Sequence, residues 1–174
     1  YYLFIFYVLC KITFEQCVIL VYNAKENCYH GTGKGVLIMK KYNVGIIGAT
    51  GMVGQRFSLL LDKHPWFNVV CVAASPRSAG KKLKDAVAGK WKLSEPLPEA
   101  IGELTVLNAE EDVEKIASMV DFVFCAVDMK KDEIRALEEK YAKAECPVVS
   151  NNSAHRHTPD VPMVIPEVNP EHIE

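Results

Sequence analysis

The sequence predicts an α/β protein built on a doubly wound parallel sheet, and three observations carry that expectation. From Tyr42 onward, short runs that are apolar on both faces alternate with stretches whose apolar residues recur at helical spacing. Strands apolar on both faces need covering on both sides, which is the condition of a parallel sheet with right-handed crossovers. A glycine turn of spacing G-x-x-G-x-x-G, Gly48, Gly51 and Gly54, joins the first such strand to the first such helix.

The elements run in order along the chain. "NVGIIG" reads as a buried strand, and Val53, Phe57, Leu60 and Leu61 then recur at helical spacing until Pro65 stops the helix. "FNVVCVAAS", Phe67 to Ser75, is a second strand, and after a basic loop "LTVL", Leu104 to Leu107, is a shorter third. The next helix opens with Glu110, Glu111 and Asp112 at its positive end and carries Val113, Ile116, Ala117 and Val120 on one face. "DFVFCAV", Asp121 to Val127, is followed by a charged helix with Ile134, Leu137 and Tyr141 inward. "PVVS", Pro147 to Ser150, and "VPMVI", Val161 to Ile165, continue the strand series. Strand then helix repeats, so the domain is of Rossmann type.

Composition limits the function. A chain of 174 residues with 49 % hydrophobic and 24 % charged side chains can bury a core as one domain, or one domain plus a fragment, without staples. The net charge of -2 offers no basic field for a nucleic-acid backbone or an anionic membrane, so a small-molecule partner is expected. Six cysteines, Cys10, Cys17, Cys28, Cys71, Cys125 and Cys146, show neither C-x-x-C spacing nor the density of a disulfide scaffold. They read as reduced thiols of a cytoplasmic protein, and no metal site is expected.

Residues 1–38 do not match the remainder. "YYLFIFYVLC" and "CVILVY" are interrupted by Lys11, Glu15 and Gln16, and each falls short of the roughly 20 apolar residues of a membrane span. No basic segment precedes them as in a signal peptide. Met39 reads as the start of the domain, and Lys34-Gly35-Val36 has codons compatible with a purine-rich ribosome-binding run. Residues 1–38 are therefore expected to be a translated leader, with a genuine N-terminal arm as the alternative, and 39–174 the nucleotide-binding domain. "GTGKG", Gly31 to Gly35, follows no strand and lacks the phosphate-loop spacing.

The turn at Gly48 is where such a domain holds a pyrophosphate, because glycines let backbone approach closely and the helix N-terminus presents unpaired N–H groups. The alternative is a glycine turn that only packs strand on helix. At the end of the second strand an NAD site places a carboxylate for the ribose hydroxyls; here "ASPRSAGKK" brings Ser75, Arg77, Ser78, Lys81 and Lys82 and no acid. That surrounding suits the 2′-phosphate of NADP, against a merely solvated basic loop. "HRHTPD" after the "PVVS" strand reads either as a polar loop or as a ligand site, and its place beyond a strand's C-terminal end favours the latter. No role is expected for His155 or His157, and Glu138 and Glu139 read as a charged helix face.

Together "VGIIGATGMVGQRF", "AASPRSAGKK" and "VVSNNSAHRHTPDVPMVIPEVN" resemble the N-terminal domain of the aspartate-β-semialdehyde dehydrogenases, the archaeal and fungal branch more than the common bacterial one. The resemblance runs from Met39 to Glu174. It implies NADPH-dependent reductive dephosphorylation of L-4-aspartyl phosphate to the semialdehyde, on the path to lysine, threonine, methionine and isoleucine. It implies that Thr50, Gly51, Met52 and Val53, with Gly48 and Gly54, surround the pyrophosphate and that Ser75, Arg77 and Ser78 take the 2′-phosphate. It also places Ala126 and Val127 beside the cofactor and Arg156 on the substrate's phosphate, where a planar guanidinium grips two oxygens at once.

By the same resemblance the nucleophilic cysteine, in an Asn-Cys motif, the acid-base histidine and the α+β catalytic and dimerisation domain lie beyond Glu174. No catalytic residue is therefore assigned within the chain. Asn27-Cys28 is its only such dipeptide, and Cys125, in an apolar strand, is a poor thiolate. The complete protein is expected to be a homodimer or homotetramer, whereas this chain alone should bind NADP weakly or not at all and not turn over. Related readings are an N-acetyl-γ-glutamyl-phosphate reductase, a malonyl-CoA reductase, or a nucleotide-binding module without catalysis.

Overall fold

The computed structural model describes residues 6–9, 41–164 and 168–169. Its strands are β1 (Phe6–Leu9), β2 (Tyr42–Ile47), β3 (Phe67–Ala74), β4 (Val106–Asn108), β5 (Phe122–Cys125), β6 (Val148–Ser150) and β7 (Met163–Val164). The helices, numbered in chain order, are α1 (Met52–Leu61), α2 (Leu83–Ala86), α3 (Glu99–Gly102), α4 (Val113–Ala117) and α5 (Lys131–Lys143). One sheet of order β4-β3-β2-β5-β6-β1-β7 results, with its first five members all parallel.

Alternation along the strands sorts the core into two layers. Val44, Ile46, Val72, Ala74, Phe122 and Phe124 face Phe57 and Leu61 of α1 and Leu83 of α2. Ile47, Cys71, Ala73, Val123, Cys125 and Val148 face Val113 and Ile116 of α4 and Leu137 and Tyr141 of α5. Both faces are covered, as the apolar runs require. Each fully buried Val, Ile, Leu or Phe contributes about 1.5–3 kcal/mol, so these two layers supply the main stabilisation. Phe57 stacks on Phe124 at 5.1 Å between centroids and Phe67 meets Phe122 edge-on at 5.5 Å, so aromatic rings from α1, β3 and β5 fill the first layer.

Several expectations change in detail. Leu60 is 45 % exposed, because the inward face of α1 carries Gly54, Gln55, Phe57, Ser58 and Leu61 instead. The third strand is shifted to Val106–Asn108, and the basic loop before it holds the two short helices α2 and α3. The helix expected to open at Glu110 begins at Val113, with Asp112 as its N-cap residue and the Asp112 carboxylate accepting the Asn108 N–H at 2.7 Å. The "VPMVI" segment does not extend the parallel set: β7 pairs antiparallel with β1, which in turn pairs antiparallel with β6. Thus four residues from the segment read as a leader form backbone ladders between β6 and β7. The purine-rich codon run, the Gly31 to Gly35 loop, Met39, Cys10, Cys17, Cys28 and residues 170–174 lie outside the described residues.

Candidate nucleotide-binding site

The five parallel strands end on one edge, and the order of connection sets the position of the crevice. From β2 the chain moves outward to β3 and β4, then crosses over to β5 and β6, so the topological switch lies between β2 and β5. Ile47 is in register with Ala73 on one side and Cys125 on the other, and Cys125 with Ser150. The glycine loop, the Ser75 turn, Ala126-Val127 and the Asn151 loop are therefore brought to the same edge by four adjacent strands.

At the switch point the glycines have distinct work. Gly48 adopts φ +88°, a left-handed conformation that disfavours any side chain, and a Cβ there would lie 2.5 Å from the Ala126 carbonyl oxygen. Its N–H and that of Ala49 both donate to the Ala73 carbonyl, at 2.8 and 3.1 Å, so the turn is tied to β3 while touching β5. Gly51 closes the turn by donating to the Gly48 carbonyl at 3.0 Å and is the N-cap of α1. Gly54 lets the helix lie directly on the loop, since a Cβ there would come within 2.2 Å of the Gly48 oxygen.

The first turn of α1 contains no acidic residue, and no side chain caps it. Its leading N–H groups and the positive end of the helix dipole thus have no internal anion, as a pyrophosphate site requires. Gly51 and Met52 are exposed, Met52 by 67 %, while Thr50 and Val53 are half-buried, so the loop has an open face.

Gln55, to which the glycine motif assigns no part, locks this loop. At 2 % exposure its Nε2 donates to the carbonyls of Thr50 and Lys90 at 3.0 and 3.1 Å, and its Oε1 accepts the Lys92 N–H at 2.8 Å. The one signal for it in the sequence is a polar residue four positions after the N-cap glycine, close to the apolar face of the helix.

Beyond β3, Ser75 and Arg77 are exposed and Ser78 half-buried in a turn closed by the Ser78 N–H on the Ser75 carbonyl at 2.9 Å. Gly80 and Lys81 then bond to Val106 of β4, which holds the turn at the sheet edge. Lys82 is drawn off toward Glu103, whose carbonyl it meets at 2.6 Å, so of the predicted basic group Arg77 and Lys81 are the members not engaged there. No carboxylate occupies Ser75 to Lys82.

The Asn151 to Arg156 segment is less open than its polar sequence suggests. Glu138 is only 1 % exposed, not on a charged surface, and His155 is 3 % exposed with its Nδ1 3.1 Å from Thr158 Oγ1. Cys125 accepts from Asn152 Nδ2 at 3.5 Å, and burial together with the nearby Glu138 carboxylate pushes its thiol well above the usual range. Cys125 is thus unsuited to nucleophilic attack, as expected. Cys71, Cys125 and Cys146 are free thiols. Arg156 itself is exposed, at the end of this segment in the turn from His155 to Thr158.

Residues 43–174 match the family described as semialdehyde dehydrogenase, NAD binding domain. The chain belongs to the semialdehyde dehydrogenase family. This semialdehyde dehydrogenase domain is 43 % identical over 136 residues to the aspartate-semialdehyde dehydrogenase of Candida albicans, spanning 78 % of the chain and 36 % of that enzyme. It is 46 % identical over 132 residues to the enzyme of Methanothermobacter thermautotrophicus, spanning 76 % of the chain and 36 % of the relative. The crystal structure of the Candida albicans enzyme with NADP superposes with a TM-score of 0.70 over 77 % of the chain and 36 % of that structure. The chain therefore spans about a third of the length of the curated relatives it matches.

Proposed function

We propose that residues 39–174 form the NADP-binding part of an NADPH-dependent aspartate-semialdehyde dehydrogenase that converts L-4-aspartyl phosphate to L-aspartate 4-semialdehyde and phosphate. The observation that carries this reading is the contact of Gly48 with Ala126 at the switch point, beside a second strand that ends in Ser75-Pro76-Arg77-Ser78 without an acid. The relatives' shared name and the NADP in the Candida albicans structure support it.

In this reading Thr50, Gly51, Met52, Val53 and Gly54 surround the pyrophosphate, which the N–H groups opening α1 hold, and Gly48 keeps the loop low enough for that approach. Ser75, Arg77 and Ser78 hold the 2′-phosphate, and Ala126 and Val127 run beside the cofactor. The bound dinucleotide supplies the hydride. Arg156 holds the phosphate of the substrate, two charge-assisted bonds from one planar group fixing the acyl phosphate's orientation. Among the described residues we assign no nucleophile. The working protein is proposed to be a cytoplasmic homodimer or homotetramer.

Affinity for NADP and NAD, measured on the complete gene product at moderate salt, tests the cofactor assignment. One charge-assisted bond is worth about 1.5–3 kcal/mol, so Arg77 should favour NADP by roughly one to two orders of magnitude. Equal affinities refute it. Turnover by the complete gene product with L-4-aspartyl phosphate, N-acetyl-γ-glutamyl phosphate and malonyl-CoA tests the substrate; activity confined to either of the last two overturns it.

A further inference from the structure

The helix α5 presents two polar side chains to the loop after β6. Arg135 and Glu138 stand three residues apart, hence on one face. Arg135 Nη2 donates to the Ala154 carbonyl at 2.9 Å. Glu138 Oε1 accepts the Ser150 hydroxyl at 2.5 Å and Asn152 Nδ2 at 3.1 Å, and its Oε2 lies 3.8 Å from His155 Nε2. Asn152 N–H donates to Ser150 Oγ at 3.1 Å and Asn151 N–H to the Cys125 carbonyl at 3.2 Å, so Ser150, Asn151, Asn152 and Ala154 are each tied to α5 or to β5.

The chain then enters a turn from His155 to Thr158 that is closed twice: Thr158 N–H on the His155 carbonyl at 3.0 Å, and His155 Nδ1 with Thr158 Oγ1 at 3.1 Å. Arg156 is the second residue of that turn. A helix whose only task was to cover the sheet would be served at position 138 by an apolar side chain, as at Ile134, Leu137 and Tyr141. A carboxylate buried there is unfavourable unless its bonds are made, so its presence ties α5 to one conformation of the loop.

We infer that Arg135 and Glu138 are positioning residues for the anion site at Arg156: from one face of α5 they clamp the backbone and side chains that lead into its turn. This rests on the reading of Arg156 as the residue that holds the substrate's phosphate. Neither side chain touches the ligand. Each acts by holding the turn where the guanidinium meets an anion at the sheet edge, and a misplacement of an ångström or less at such a site is costly.

The test uses inorganic phosphate titrated into the ¹⁵N-labelled chain and followed at the amides of residues 151–158, with NADP affinity and melting temperature measured on the same samples. Arg135→Ala and Glu138→Gln should each weaken phosphate binding about tenfold while leaving affinity for NADP unchanged. Arg135→Lys, which keeps a donor, should recover part of the loss. Arg135 is an exposed side chain, so its alanine variant carries the test if Glu138→Gln does not fold. Parental phosphate affinity in Arg135→Ala overturns the inference, as does an equal loss of phosphate and NADP binding, which marks a general loss of structure. Arg156→Ala separates the two readings. If it abolishes phosphate binding while the α5 variants keep it, only this inference fails; if it keeps binding, or the parent shows no shift, the assignment of Arg156 fails and the inference with it.

Discussion

Gly54→Ala sets two effects of opposite sign against each other. In a helix interior alanine is better than glycine by about 1 kcal/mol, so on propensity alone the variant would be the more stable. The added Cβ, however, would lie 2.2 Å from the Gly48 carbonyl oxygen, 2.7 Å from Ala49 Cα and 2.8 Å from the Gly48 carbonyl carbon. These are backbone atoms that cannot swing aside, and the loop they belong to is held to β3 by two N–H bonds on Ala73. Overpacking of this kind costs about 1–3 kcal/mol, and rigid neighbours place it toward the upper end. The net loss is then about 1–2 kcal/mol, or a melting temperature lower by about 2–8 °C at the 2–4 °C per kcal/mol of a chain this size. Thermal unfolding by circular dichroism reads it, with Gly51→Ala as the control. At Gly51, where φ is -75°, the nearest atom to a new Cβ is the Gly48 oxygen at 3.4 Å, an ordinary contact. Gly51→Ala should therefore melt within about 2 °C of the parent yet bind NADP less tightly, its methyl standing on the open face. A Gly54→Ala chain that melts at or above the parent refutes the packing account.

Four further outcomes concern other parts of the molecule. Arg77→Ala should reduce NADP affinity by about one to two orders of magnitude and leave NAD affinity nearly unchanged, read by calorimetry at moderate salt; parallel losses would remove Arg77 from the 2′-phosphate site. Tyr141→Phe should destabilise by about 1–3 kcal/mol, because Tyr141 Oη donates to the buried Ala109 carbonyl at 2.9 Å and phenylalanine leaves that oxygen unpaired; denaturant titration measures it. Burial pushes the Cys71 thiol up to about 11 from 9.0, so the folded state holds its proton more tightly than the unfolded one and stability falls as pH rises from about 9 toward 11. Cys71→Ala should flatten that fall in denaturant titrations at successive pH values, and an unchanged slope would refute the assignment. Residues 1–38 are proposed to be a leader, so a chain beginning at Met39 should unfold cooperatively near the parental temperature; failure to fold would show that the β1 ladders with β6 and β7 are needed.

The sheet and its two covered faces were legible in the amino-acid order because they rest on local periodicity: runs such as Ile46-Ile47 and Val123-Phe124-Cys125 are apolar in both directions, and Ile134, Leu137 and Tyr141 recur at helical spacing. The glycine turn was legible for the same reason, since Gly48, Gly51 and Gly54 recur at a fixed interval between a strand and a helix. Contacts between segments far apart in sequence were not. Gln55 looked like one polar residue in a helix, and only the fold brings Lys90 and Lys92 to it. Glu138 matched the pattern of a solvated face because Glu139 and Lys140 beside it are polar too; its burial is decided by β6, which returns Ser150 and Asn152 to that face. The edge order beyond β6 likewise depends on pairing at long range, where β1 enters between β6 and β7 with no turn signal to announce it. Composition, spacing and backbone preference thus determined an α/β domain with a glycine turn of the nucleotide-binding kind, and the likeness of whole segments to known proteins, not those patterns, pointed to the family. Which polar residues lie inside it, and what they hold, was decided by the tertiary structure, because a buried hydrogen bond takes its meaning from a partner that sequence distance conceals.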